Sequence, residues 1–93
     1  MKSILRYPVL DLTYRQTLHI PTGFRIRHLA PGRASDVVID IWAEVESDNP
    51  VVPVDVWIIG TGHQFPPDEA GPIYIGTVVM PDGFVWHLFV SVQ

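Results

Sequence analysis

An all-β fold, an antiparallel β sandwich or open barrel of about seven strands with little or no helix, is what this sequence predicts, and three observations predict it. Val, Ile, Thr and aromatic residues recur in runs of strand length. Nine prolines and seven glycines punctuate those runs. No window longer than a turn carries apolar residues at helical spacing. At 93 residues there is room for one core, so a single β domain over residues 1–93 is expected.

The strands follow in order from these runs and their breaks: Ser3–Val9, Arg15–Ile20, Phe24–Leu29, Val37–Glu46, Val52–Ile59, Tyr74–Met80 and Phe84–Val92. Pro21-Thr22-Gly23 and Pro31-Gly32-Arg33 combine the fixed φ of proline with the permissive φ of glycine, as turns require. Pro81-Asp82-Gly83 between two apolar runs is a hairpin signal, so the last two strands should pair. Gln64–Pro72, with Pro66, Pro67 and Pro72 around Asp68 and Glu69, cannot supply a regular ladder of donors and should be an exposed loop.

Alternation then assigns faces. In the fourth strand Val37, Ile39, Ile41, Ala43 and Val45 form an apolar series, while Asp36, Asp40, Trp42, Glu44 and Glu46 share the other face with Val38. In the fifth, Val52, Val54, Val56 and Ile58 face the core and Asp55 shares the opposite face with Trp57. If the third strand pairs with the fourth through Pro31-Gly32, Arg25 and Arg27 come onto the face of Asp40 and Glu44 as cross-strand ion pairs. Trp42 and Trp57 are expected to flank one charged sheet surface. That surface reads as a solvated charge ladder, a subunit interface or a platform for a planar ligand. The interface reading predicts a homo-oligomer.

Charge is unevenly placed along the chain. All six cations fall in the first 33 residues with one acid, Asp11, giving +5; the remaining nine acids give −9. The two halves should pair, by strands that interleave in one sheet. The net charge of −4 disfavours non-specific nucleic-acid binding, which needs a cationic surface. No cysteine is present, which excludes disulfides, thiolate metal sites and a Cys nucleophile. No apolar run reaches the length of a spanning helix, so no membrane role is expected and the chain reads as cytosolic.

Three groups of residues are candidates for chemistry. Gly60-Thr61-Gly62-His63 ends a strand, and its consecutive N–H groups are able to converge into an anion-binding nest with Thr61 and His63 as side-chain donors. The alternative is a bend or sharp strand exit; no Lys or helix follows to make it a P-loop. The four histidines, His19, His28, His63 and His87, stand at no metal-ligand spacing, so neither a metal nor a cofactor is expected. His87 reads as a buried, hydrogen-bonded structural residue. His63 or His87 with Asp68, Glu69 or Ser91 makes a triad only on paper, without a nucleophile elbow, and the chain reads as non-enzymatic.

Taken in order, Tyr7-Pro8, Pro21-Thr22-Gly23, Trp42-Ala43, Gly60-Thr61-Gly62-His63, Tyr74-Ile75-Gly76-Thr77 and Val85-Trp86-His87-Leu88-Phe89 resemble a family of small uncharacterised bacteriophage and prophage proteins. The likeness spans nearly the whole chain; the acidic stretch from Asp36 to Asp55 and Val90 depart from it. It implies a setting, the cytoplasm of a bacterial host, and not a reaction; a phage protein of this size without a catalytic signature is then expected to act by occupying a host component, as an inhibitor of host defence. One mechanism is an oligomer that sequesters a small nucleotide-type signal, with Gly60, Thr61, Gly62 and His63 on phosphate and Arg25, Arg27 or a tryptophan on the rest. A second docks the acids Asp40, Glu44, Glu46, Asp48 and Asp55 on a basic host protein. A structural phage assembly component is the third.

Overall fold

The computed structural model describes residues 1–9, 15–33, 38–65 and 72–92. They form seven strands and no helix: β1 Lys2–Val9, β2 Arg15–Pro21, β3 Arg25–Pro31, β4 Ile39–Glu46, β5 Val51–Gly60, β6 Ile73–Val79 and β7 Val85–Val92. Every pairing is antiparallel, in a three-stranded sheet of order β1-β4-β3 and a four-stranded sheet of order β2-β5-β7-β6. The predicted core position Val37, the outward Asp36, and Asp68 and Glu69 lie outside the described residues.

The alternating apolar series do what their spacing dictates. Ile39, Ile41, Ala43 and Val45 of β4 meet Val54, Val56 and Ile58 of β5 in one buried cluster, completed by Val9, Leu18, Ile20, Val78, Leu88 and Val90. Each sheet thus has one face in the core and one outside, the arrangement of a two-layer sandwich.

Two of the connections that carry the chain between layers are tied together. The turn after β2 passes from the four-stranded to the three-stranded sheet; the segment after β4 passes back. Thr22 N–H donates to the Pro50 carbonyl at 2.8 Å, and Asn49 Nδ2 donates to the Thr22 carbonyl at 2.9 Å. Both expected hairpins form. Gly32 N–H donates to the Val38 carbonyl at 2.6 Å beside the β3–β4 pair. At the β6–β7 turn Met80 N–H donates to Phe84 O, Gly83 N–H to Met80 O, and Asp82 Oδ1 accepts from Phe84 N–H, an Asx-type lock.

The charge split becomes contact. The acidic strand β4 lies between β1 and β3, both drawn from the basic segment. Arg6 Nη1 reaches Asp40 Oδ1 at 3.1 Å, Arg27 Nη2 reaches Glu44 Oε1 at 2.9 Å, and Lys2 Nζ stands 3.6 Å from Glu44 Oε2. In the other sheet Arg15 Nη1 is 3.8 Å from Asp55 Oδ2, and Thr17 Oγ1 donates to Asp55 Oδ1 at 2.7 Å. The more exposed pairs of Glu44 with Arg27 and Lys2 contribute about 0–1 kcal/mol each, whereas Asp55 is buried. The Arg6 pair matters more, because Asp40 is only 1% exposed.

One expectation is corrected. Trp42 and Trp57 do not flank a common surface; they stand on the outer faces of different sheets. The apolar residues of β4 and β5 face each other across the core, so the alternate positions of the two strands point away from each other. Neither tryptophan lies open: the Arg33 guanidinium sits 5.5 Å from the Trp42 ring, and Arg15 sits 5.3 Å from the Trp57 ring, which is only 8% exposed. Asp55 is likewise separated from Asp40 and Glu44, and Asp40 pairs with Arg6 of β1 rather than with Arg25 or Arg27.

Candidate functional site

The ladder between β5 and β7 places Gly60 opposite Trp86, so the end of one strand and the start of the other lie side by side. At this point β5 leaves the sheet in a tight turn: His63 N–H donates to the Gly60 carbonyl at 2.9 Å, with Gly62 at φ 87° in the left-handed region. Gly60 is needed for a different reason. A Cβ there would stand 2.6 Å from His63 Nδ1 and 3.2 Å from Trp86 Cζ3, so only glycine lets the imidazole lie over the backbone beside the indole.

These constraints build an aromatic cleft of about 590 Å³, walled by Trp86, Phe84 and His63 and closed by Gly60, Thr61, Gly83 and Val85. His63 meets Trp86 edge-on, with centroids 6.2 Å apart at 68°, and Phe84 lies 6.4 Å from Trp86 at 48°. Phe84 is 65% exposed, an unusual degree for a phenyl ring, and forms the outer lip. Among the described residues no Lys, Arg, Asp or Glu lines the cleft. Its walls therefore favour a flat, uncharged, polarisable group, and its polar contacts are limited to imidazole, hydroxyl and backbone.

Behind the cleft runs a hydrogen-bonded relay. Thr61 Oγ1 is 2.8 Å from His87 Nε2, His87 Nδ1 is 3.0 Å from Thr77 Oγ1, and Thr77 Oγ1 meets the Tyr74 hydroxyl. Each ring nitrogen of His87 thus has a threonine hydroxyl as its partner, with the direction of the two bonds set by the tautomer. His87 is hydrogen-bonded, as expected, but half-buried rather than buried. Beside it Phe89 packs on Tyr74 at 5.4 Å and on Phe65 at 5.0 Å.

Of the residues proposed from sequence, Gly60, Thr61 and His63 come together at the cleft, while Gly62 forms the tip of the turn. Thr61 N–H donates to the Val85 carbonyl at 3.3 Å and His63 N–H to Gly60, so two of the amides that an anion nest requires are already committed. The segment is a strand-ending turn. Arg25 and Arg27 stand on the other sheet and do not line the cleft. Phe84 and Trp86 were not singled out as ligand contacts. The hairpin itself carries the missing signal: counting outward from Pro81-Asp82-Gly83 pairs Val79 with Val85, Val78 with Trp86 and Thr77 with His87.

Fold and site together define a small antiparallel β-sandwich domain with an uncharged aromatic cleft where β5 and β7 meet. The chain belongs to a family described as a domain of unknown function, DUF7352, whose model matches residues 1–93. No curated protein and no solved structure matches it. Among the described residues no helix is long and apolar enough to cross a membrane.

Proposed function

We propose that this protein is a non-enzymatic binding module that takes a planar aromatic or heteroaromatic group, such as a nucleobase, into the cleft of Trp86, Phe84 and His63. The observation that carries this reading is the combination of a largely exposed Phe84, a glycine that admits the His63 ring, and walls that among the described residues hold no carboxylate or guanidinium. Stacking on such walls is worth roughly 1–3 kcal/mol per base, enough to orient a small molecule whose remaining groups bind elsewhere. Sequestration of a nucleotide-type signal by a phage-encoded inhibitor of host defence, acting in the bacterial cytoplasm, fits this chemistry; the order of the sequence motifs supplies that setting. The acidic-docking alternative is weakened, because Asp40 and Asp55 are buried and Glu44 is held by Arg27 and Lys2. Self-association belongs to the proposal on a different surface from the tryptophans: Ile73, Tyr74, Val79 and Phe84 are exposed, and Asp82 is the sole Lys, Arg, Asp or Glu among residues 73–92, so charge does not oppose a second copy.

The test is an NMR titration of the labelled protein with adenine and, separately, indole. Saturable shifts at the amides of Gly60, Thr61, His63 and Trp86, lost in Trp86→Ala while the spectrum stays dispersed, are expected. Absence of shifts at millimolar probe would sink the reading. Native mass spectrometry of protein purified from cells should give a multiple of the 10.5 kDa subunit plus a few hundred daltons that denaturation removes.

A further inference from the structure

The two sheets meet along the edge strands β3 and β6, which lie against each other without a ladder between them. Both strands bulge there. The register of β3 on β4 shifts between Ile26 and His28, and that of β6 on β7 shifts between Tyr74 and Gly76. A bulge leaves one residue out of the ladder and re-aims its neighbours, here Arg27 and Ile75. The approach is close: a Cβ on Gly76 would stand 2.6 Å from Leu29 Cδ1. What remains is a groove of about 350 Å³, with Arg27 and His28 on the β3 side and Gly76 and Thr77 on the β6 side.

Charge is out of balance at this groove. Arg6 answers Asp40 and Arg15 answers Asp55, one cation to one carboxylate. Around Glu44 there are three cations. Arg27 donates to Oε1 through Nε at 3.1 Å and Nη2 at 2.9 Å, Lys2 approaches Oε2, and Arg25 is the register partner of Glu44 across the ladder. Among the described residues no second carboxylate lies within ion-pair distance of Lys2, Arg25 or Arg27, and the nearby Glu46 is held by the N-terminal ammonium. The Arg27 hydrogen bond, foremost, holds the Glu44 carboxyl below its ordinary range, as a local positive excess would. Among the described residues no carboxylate lines the groove, and β6 carries no ionisable side chain other than Tyr74. In a chain of net charge −4, this is a place where positive charge exceeds negative.

We propose that the β3–β6 groove is an anion site for a phosphate-type oxyanion, held by Arg27 and His28 with the positive excess of Arg25 behind them. The Nη1 of Arg27 is not used by Glu44, and edge strands present backbone N–H groups that a ladder does not consume. Thr77 plays a positioning part, since its hydroxyl is committed to Tyr74 and His87. The same imidazole reaches Thr61 at the aromatic cleft, so the two sites share one hydrogen-bonded frame. The anion site stands independently of the cleft reading.

Inorganic phosphate is the probe, titrated into labelled protein against chloride at equal ionic strength. Saturable shifts at the amides of Arg27, His28, Gly76 and Thr77 with phosphate alone are expected. Arg27→Gln should weaken binding roughly tenfold, the loss of a charge-assisted hydrogen bond. Arg25→Gln, whose side chain makes no hydrogen bond among the described residues, should weaken it by a smaller factor that shrinks as salt is added, and it keeps the test open should Arg27→Gln disturb the strand. No saturable shift at tens of millimolar phosphate, equal shifts with chloride, or unchanged affinity in Arg25→Gln would each overturn the site.

Discussion

The outer face of the three-stranded sheet and the outer face of the four-stranded sheet solve the same problem in different ways. On the first, Lys2, Arg6 and Arg27 are matched to Asp40 and Glu44, and Arg33 caps Trp42. On the second, beyond the Arg15–Asp55 pair, β6 and β7 offer hydroxyls, an imidazole and aromatic rings: Tyr74, Thr77, His87 and Phe89. The difference follows from where the strands come from. β1 and β3 belong to the basic segment and flank the acidic β4, whereas β6 and β7 are drawn from a part of the chain with almost no ionised side chains. Most of the charge is therefore spent inside the molecule as short-range pairing. On the proposed reading, recognition falls to the less charged sheet and to the β3 edge, where pairing is incomplete among the described residues.

Three experiments break or sharpen this comparison. The largest effect is expected from the shared core. Ile41 and Leu88 are fully buried, one on each sheet, so Ile41→Ala and Leu88→Ala should each cost about 2–5 kcal/mol. Urea unfolding followed by tryptophan fluorescence should show a single transition lowered in both; two separate transitions would mean the sheets are independent units.

A smaller effect is expected at β1. Arg6→Ala leaves the Asp40 carboxylate buried with only the Arg33 N–H at 3.4 Å, at a cost of about 1–3 kcal/mol, while Arg27→Ala on the exposed pair should cost about 0–1 kcal/mol. Adding Asp40→Asn to Arg6→Ala should recover part of the loss. Equal urea midpoints for the two single variants would erase the distinction between the buried and exposed rungs of the ladder.

The smallest effect is one of pH. Arg27, by its hydrogen bond, depresses the Glu44 carboxyl below its ordinary value near 4.5, so the folded state holds this proton less tightly than the unfolded chain does. The resulting stabilisation is in place above that value and is lost as pH falls through the depressed one. Glu44→Gln should therefore lower the urea midpoint at pH 7 and lower it by less at pH 3. The same penalty at both pH values would show that Glu44 acts through packing alone.

Much of the fold was legible because strand signals are local. The described strand ends fall within two residues of those expected, and the β3–β4 and β6–β7 hairpins follow from Pro31-Gly32 and Pro81-Asp82-Gly83. The site was legible in part. Gly60, Thr61 and His63 announced a special turn, but its purpose depends on Trp86 standing opposite Gly60, which the β5–β7 register sets. Arg25 and Arg27 were rightly placed beside Glu44, yet they lie on the other sheet from the cleft.

By itself the sequence determined the seven strands, the inward series of β4 and β5, the outward series that carries Asp40, Trp42 and Glu44, and the complementary charges of its two halves. These are properties of a two-residue repeat and of turn chemistry, readable within a few residues. Only the tertiary structure decided which strands share a sheet, that Trp42 and Trp57 face opposite ways, and that an aromatic cleft and a cationic groove exist at all. Those depend on the chain crossing between layers after β1, β2 and β4, and on registers between strands far apart in sequence, which alternation along a single strand does not encode.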